Sequence, residues 1–160
     1  LKVCRDLLHE KIPIIDMLTI IEAVADIAEF TKAPEVLLEH VRAKLYRLIT
    51  QKFKDTDGVL HIITIKPELE QQFIGKIQEH HGVSQLMLSI AEINNLVTKT
   101  KKLLDSIEVK GFSKITMVVD PILRKRISEI YEKFGLQVSV LSHAELDSKA
   151  NFAIEGTLEF

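Results

Sequence analysis

The chain has 160 residues, 46% of them hydrophobic and 28% charged, enough to bury a core, which excludes a disordered tail. Its single cysteine, Cys4, excludes an intrachain disulfide, a cysteine-rich zinc site and a CxxC redox pair, and fits a reducing compartment. A formal net charge of −2 with both signs interspersed gives no global pull toward nucleic acid or anionic lipid, and no uncharged apolar run approaches the ~20 residues of a membrane span.

In chain order, the spacing of Leu1, Val3, Cys4, Leu7 and Leu8 predicts a helix from Leu1 to about Glu10. It has no capping residue before it, and the first residue is not Met, so the chain reads as a piece of something longer. Pro13, Pro34, Pro67 and Pro121 each stand ahead of a segment with helical apolar spacing, where a missing N–H costs nothing. Asp16 can cap a second helix with Met17, Ile20, Ile21, Val24, Ile27 and Ala28 on one face, and Thr19 with Glu22 offers a competing start one turn later. A third helix, Pro34 to about Gln51, places Leu37, Leu38, Val41, Leu45, Leu48 and Ile49 on one side.

The period changes after Asp57-Gly58, a turn signal. The β-branched run from Val59 to Ile65 predicts a strand. A helix is expected from Pro67 to about His81, stopped by Gly82, and a long one from Ser84 to about Val109, stopped by Gly111. The run Ile115 to Val119 predicts a buried strand, Pro121 to Phe134 a helix ending at Gly135 and Leu136 in a Schellman cap, and Gln137 to Leu141 a third strand. Strand, crossover helix and strand imply a right-handed parallel unit. Phe152 to Phe160 alternates apolar with polar residues, as a half-solvated edge strand does. The fold class is therefore mixed α+β and α/β: a small helical subdomain over residues 1–56, then an α/β subdomain over 57–160 with a mostly parallel four-stranded sheet.

Ligands of open α/β sheets gather beyond the carboxyl ends of the strands, here near Lys66, Asp120 and Ser142-His143. A small-molecule-binding or enzymatic domain using Asp120 and Ser142 is thus the alternative reading. Asp120 before Pro121 is, however, better explained as a helix cap, and Ser142 ahead of Glu145 has the same capping-box look. The strand-to-helix turns at residues 65–68 and 119–122 hold no glycine, which argues against a phosphate-cradling loop. His80 and His81 are adjacent, and neighbours on a helix do not face one ligand. His61 reads as a satisfied strand residue. Arg124-Lys125-Arg126 has no interleaved aromatics to stack bases and reads as a solvated helix face. No catalytic cluster, cofactor site or metal site emerges.

The stretch Leu7-Leu8-His9-Glu10-Lys11-Ile12-Pro13-Ile14-Ile15-Asp16-Met17-Leu18-Thr19-Ile20-Ile21-Glu22-Ala23-Val24-Ala25 closely resembles the signature LLxExVPIRDMxTIxExLA of the flagellar and type III export gate family, the FlhA-type (FHIPEP) proteins. Residues Glu39 to Ile49 resemble the same family's EHVRxxLxRxI helix, and Val140 to Leu146 is similar to its VLSxxEI motif. The resemblance is stronger for the flagellar branch than for the injectisome branch. Ile15 departs from the usual Arg, and Ala33 from a common Asp.

The resemblance implies part of a multispan bacterial inner-membrane protein whose cytoplasmic region has four subdomains and assembles as a nine-membered ring. This chain would be most of the third subdomain and all of the fourth, reaching the membrane only through a missing N-terminal part. The implied partners are export chaperones with cargo, the ATPase stalk protein, other export apparatus subunits and further copies of itself, with no nucleic acid. The main chaperone-docking dimple would lie upstream of Leu1. Pro13, Asp16, Met17, Thr19 and Glu22 of the motif are expected to be structural, and Arg42 and Arg47 are the candidates for an intersubunit or interdomain ion pair.

Overall fold

The computed structural model describes residues 2–81 and 83–160; the helix start expected at Leu1 and the stop expected at Gly82 lie outside them. Two compact units result, one of residues 1–52 with 144–147, the other of 53–143 with 148–160.

The first unit is helical: α1 (Lys2–His9), α2 (Met17–Ala28), α3 (Pro34–Lys44) and α4 (Tyr46–Phe53). Helix α1 closes on Lys11, whose φ is 63°, with Ile12 N–H donating to the Leu7 carbonyl at 2.8 Å. That is a Schellman closure made without glycine, and Pro13 just beyond prevents the helix from resuming. Helix α3 lies at the centre of the unit, packed by both α1 and α2, and buries Leu38, Val41 and Arg42. The single helix expected from Pro34 to Gln51 is broken at Leu45, whose N–H is shared between the carbonyls of Val41 and Arg42, both at 3.0 Å. This tightened turn starts a new helix while keeping Leu45 and Ile49 buried.

Helix α2 buries Ile20 and Ala23. Met17 and Ile21, expected in its core face, point outward with Leu18. Apolar residues surround this helix nearly completely, so periodicity does not select the buried side.

The second unit is built on a four-stranded, all-parallel sheet of β1 (Leu60–Ile65), β4 (Thr116–Val119), β5 (Ser139–Ser142) and β6 (Phe152–Leu158), in the order β5-β4-β1-β6. Ile63, Ile65, Met117, Val119 and Val140 share one core with the helices α5 (Pro67–Ile74), α6 (Ile90–Glu108) and α7 (Pro121–Lys133). Ile62, Val118 and Leu141, at the intervening positions, are buried too. Both faces are therefore covered, which is why these strands read as continuous apolar runs. Within the core the Tyr131 hydroxyl lies 2.9 Å from Thr100 Oγ1 and donates to Met117 Sδ at 3.2 Å; burial pushes its phenol well above the ordinary range. Helix α7 ends in the expected Schellman closure, Leu136 N–H donating to the Tyr131 carbonyl at 2.9 Å with Gly135 at φ 73°.

Two helix assignments are corrected between residues 67 and 109. Helix α5 stops at Ile74, and Ile77–His80 (β2) with Val83–Leu86 (β3) form an antiparallel hairpin pairing Ile77 with Leu86 and His80 with Val83. His80 and His81 thus stand at a hairpin turn, not at a helix end, and His81 adopts φ 52°. The alternating burial along Val83–Leu86 and the packing of Ile77 and Leu86 against the core outweigh its helical spacing. The long helix then begins at Ile90 rather than Ser84. Its N-cap is Ser89, whose Oγ accepts from Glu92 N–H while Glu92 Oε1 accepts from Ser89 N–H, each at 3.1 Å. This is a complete capping box, and Lys76 pairs with the same glutamate.

Candidate functional site

The motif region folds around Asp16, the N-cap of α2. Its Oδ1 accepts from Thr19 N–H at 3.2 Å and its Oδ2 from the Thr19 hydroxyl at 2.7 Å. These bonds, the hydroxyl's first, hold the carboxyl below its ordinary value. Asp16 rather than Thr19 starts the helix. Pro13 is half-buried, while Met17 and Glu22 are exposed on α2. The cap fixes the helix so that Leu18 and Ile21, 68% and 55% exposed, face outward together, next to Ile15 at 80%.

Arg42 and Arg47 have different fates. Arg47 is exposed on α4, its guanidinium 5.3 Å from the Tyr46 ring centre. Arg42 is 1% exposed. Its Nε donates to Glu145 Oε1 at 2.8 Å and its Nη2 to Glu145 Oε2 at 2.7 Å, a bidentate pair. Its Nη1 lies 3.3 Å from Glu10 Oε2. The Thr50 hydroxyl donates to the Glu145 carbonyl at 2.9 Å and accepts from Asp147 N–H at 3.0 Å. Arg42 and Thr50 thus hold the segment 144–147 within the helical unit. Arg42, expected in an intersubunit or interdomain ion pair, is paired instead with Glu145 inside its own unit, and neither Glu145 nor Thr50 was expected beside it.

At the carboxyl ends of the strands, Asp120 caps α7, its Oδ1 accepting from Ile122 N–H at 3.0 Å, and its own N–H donates to Glu70 Oε2 at 3.2 Å. Ser142 is 1% exposed and pairs in register with Val119. The carboxylate is thereby committed to the helix, and the serine is closed to solvent. Arg124, expected on a solvated face, is fully buried, while Arg126 lies 3.4 Å from Glu129. Two open clefts mark this unit. One, of about 290 Å³, lies between Lys99, Lys102 and Leu103 of α6 and Thr157 of β6. The other, of about 360 Å³, lies between Val83 and Met87 of the hairpin region and Arg126, Ile130 and Lys133 of α7.

The sequence from residue 1 to 151 matches the model of the FHIPEP family. The chain belongs to that family. It is similar to the flagellar biosynthesis protein FlhA of Helicobacter pylori, 40% identical over 157 residues that make up 98% of this chain and 21% of the relative. It therefore spans about a fifth of that relative's length. Its fold is that of the nonameric SctV-C of enteropathogenic E. coli (EPEC), with a TM-score of 0.86 at 20% identity over 98% of this chain and 46% of that one. The same fold recurs in the CdsV protein of Chlamydia pneumoniae solved in complex with CdsO, with a TM-score of 0.81 at 23% identity over 98% and 46% of the two chains. Among the described residues no helix is long and apolar enough to cross a membrane.

Proposed function

We propose that this chain is the C-terminal cytoplasmic part of a flagellar type III export gate subunit of the bacterial inner membrane. It works by binding proteins rather than by catalysis. The helical unit contributes to a ring of subunits, and the α/β unit receives export partners, among them chaperone–cargo complexes and the ATPase stalk. The observation that carries this reading is the outward apolar face of α2, Leu18 and Ile21 beside Ile15, in the very stretch that matches the family signature. A solvated helix has no use for such a face, whereas a subunit contact buries it. Support comes from relatives of the same fold, one nonameric and one solved with a partner protein.

Arg47, exposed at the surface of α4, is the arginine suited to meet a neighbour. Arg42 acts from inside by positioning residues 144–147. The test is made in the complete protein in its own cell. Leu18→Glu with Ile21→Glu should abolish ring assembly of the cytoplasmic region and flagellar export at unchanged protein level. Intact rings and full export in that variant would overturn the reading. Arg47→Glu should weaken assembly less severely, as an exposed charge does.

A further inference from the structure

His61 is an unusual residue for the middle of a parallel sheet. It lies in β1 and is 4% exposed, with its ring stacked on Phe112 at 3.8 Å between centres and 20° between planes. Its Nε2 is 2.8 Å from Asp57 Oδ2, in the turn before β1, and its Nδ1 is 3.0 Å from Glu155 Oε1, in β6. A carboxylate can only accept, so both contacts are satisfied together only when both ring nitrogens carry a proton.

Glu155 occupies a special place. Ile62 pairs with Ile154 and Ile63 with Gly156, so Glu155 is the extra residue of a bulge in the edge strand. Without an in-register backbone partner on β1, this residue is fastened by its side chain, through His61 and through Lys110 Nζ, 3.3 Å from Oε2. On the other side Asp57 also accepts from Val59 N–H at 2.9 Å, and Asp55 is the next charge along the chain.

We propose that His61 is a proton-operated latch on the edge strand: as an imidazolium it ties the turn before β1 to the bulge of β6, and on losing a proton it breaks that tie at one end. Neutral imidazole turns a lone pair toward one of the two carboxylates, so one contact becomes repulsive while the other survives. Where Asp57 keeps its bond, Glu155 is left to Lys110 alone, whose side chain is exposed; where Glu155 keeps its bond, the exposed Asp57 of the turn is released to solvent.

The direction of the pH response follows. Burial works against the charged ring, but the bonds to Asp57 and Glu155 outweigh it, and the net effect raises His61 above its ordinary 6.5. Asp57, through Val59 N–H and then His61, and Glu155, through His61 first, are both lowered from 3.8 and 4.5. The histidine's contribution is complete below 6.5 and is lost as pH rises through its higher folded value; the carboxylates' is complete above 4.5 and is lost as pH falls through their lower folded values. The latch is thus fully closed between these limits and opens toward alkaline pH.

The test is made on the whole 160-residue chain by two measurements. Ring nitrogen shifts should show both His61 nitrogens protonated at pH 6 and a titration above 6.5. Amide exchange of residues 57–59 or of residues 154–157, corrected for the intrinsic rate, should lose protection from pH 6 to 8.5, by about tenfold for each pH unit by which His61 titrates above free imidazole. Glu155→Gln should lower the His61 titration and flatten this loss, and His61→Gln should flatten it entirely. A single protonated nitrogen at pH 6, a titration at or below 6.5, or pH-independent protection in the unmodified chain would each overturn the latch. Because the nitrogen shifts are read in the unmodified chain, failure of either variant to fold does not rescue it.

Discussion

Loss of the Arg42 guanidinium leaves Glu145, itself 0% exposed, without its bidentate partner. Arg42→Met is therefore expected to destabilise the chain by about 3–5 kcal/mol, seen as a lower urea midpoint. Pairing it with Glu145→Leu should recover most of that loss, because the stranded charge is gone. Arg42→Lys should fall between, since an ammonium cannot reproduce the two parallel bonds. At Lys11, held at φ 63°, Lys11→Gly should stabilise by up to about 1 kcal/mol, measured by the same denaturation, because the strain of a left-handed L-residue is relieved. Individual capping residues were legible because their chemistry is local: Asp16 and Asp120 do as cap preference dictates. The Arg42–Glu145 bond was not, because 103 positions separate its ends, and no local rule reaches that far.

At the scale of elements, the parallel strands and the proline-marked helix entries could be read directly, while the ends of the helices after Pro34 and Pro67 could not. The segment 75–89 could not. Ile77, Leu86 and Leu88, all packed against the sheet core, fit either a helical or a strand stripe, and the competing signal at Ser89 and Glu92 is short. Ser89→Ala is expected to cost about 1 kcal/mol and to fray the first turn of α6, observable as faster amide exchange at residues 90–93. The outer sheet edge offers another test. A Cβ on Gly156 would lie 2.7 Å from Leu103 Cδ1, so Gly156→Ala should cost on the order of 1–2 kcal/mol by overpacking. Leu103→Ala beneath it should cancel most of that extra cost, a non-additivity read from a double-mutant cycle.

For the whole molecule, the family was legible from a few linear motifs, while the exposure of the α2 face was not, because an apolar helix conceals which side has a partner. The helical unit takes in residues 144–147. Deleting residues 144–160 is therefore expected to raise amide exchange across α3 and not only in the sheet that loses β6. Retained α3 protection would show that the Arg42 network contributes little to its unit. Asp55 supplies an acid-side prediction for the other unit. The Ser113 hydroxyl, followed by the Thr56 amide, holds its carboxyl far below the ordinary 3.8. Its contribution is present above 3.8 and disappears as pH falls through the lower folded value, so Asp55→Asn should flatten acid unfolding monitored by circular dichroism.

The insertion of Glu145 into a unit otherwise finished by residue 52 also imposes a timetable on synthesis. A ribosome adding roughly 5–20 residues per second needs about 5–20 s to travel from Arg42 to Glu145. Throughout that interval Arg42 has Glu10 for an ion pair but lacks its bidentate partner at the place where the helices must close. The helical unit is therefore expected to complete itself late, after β1, β4 and β5 have been made.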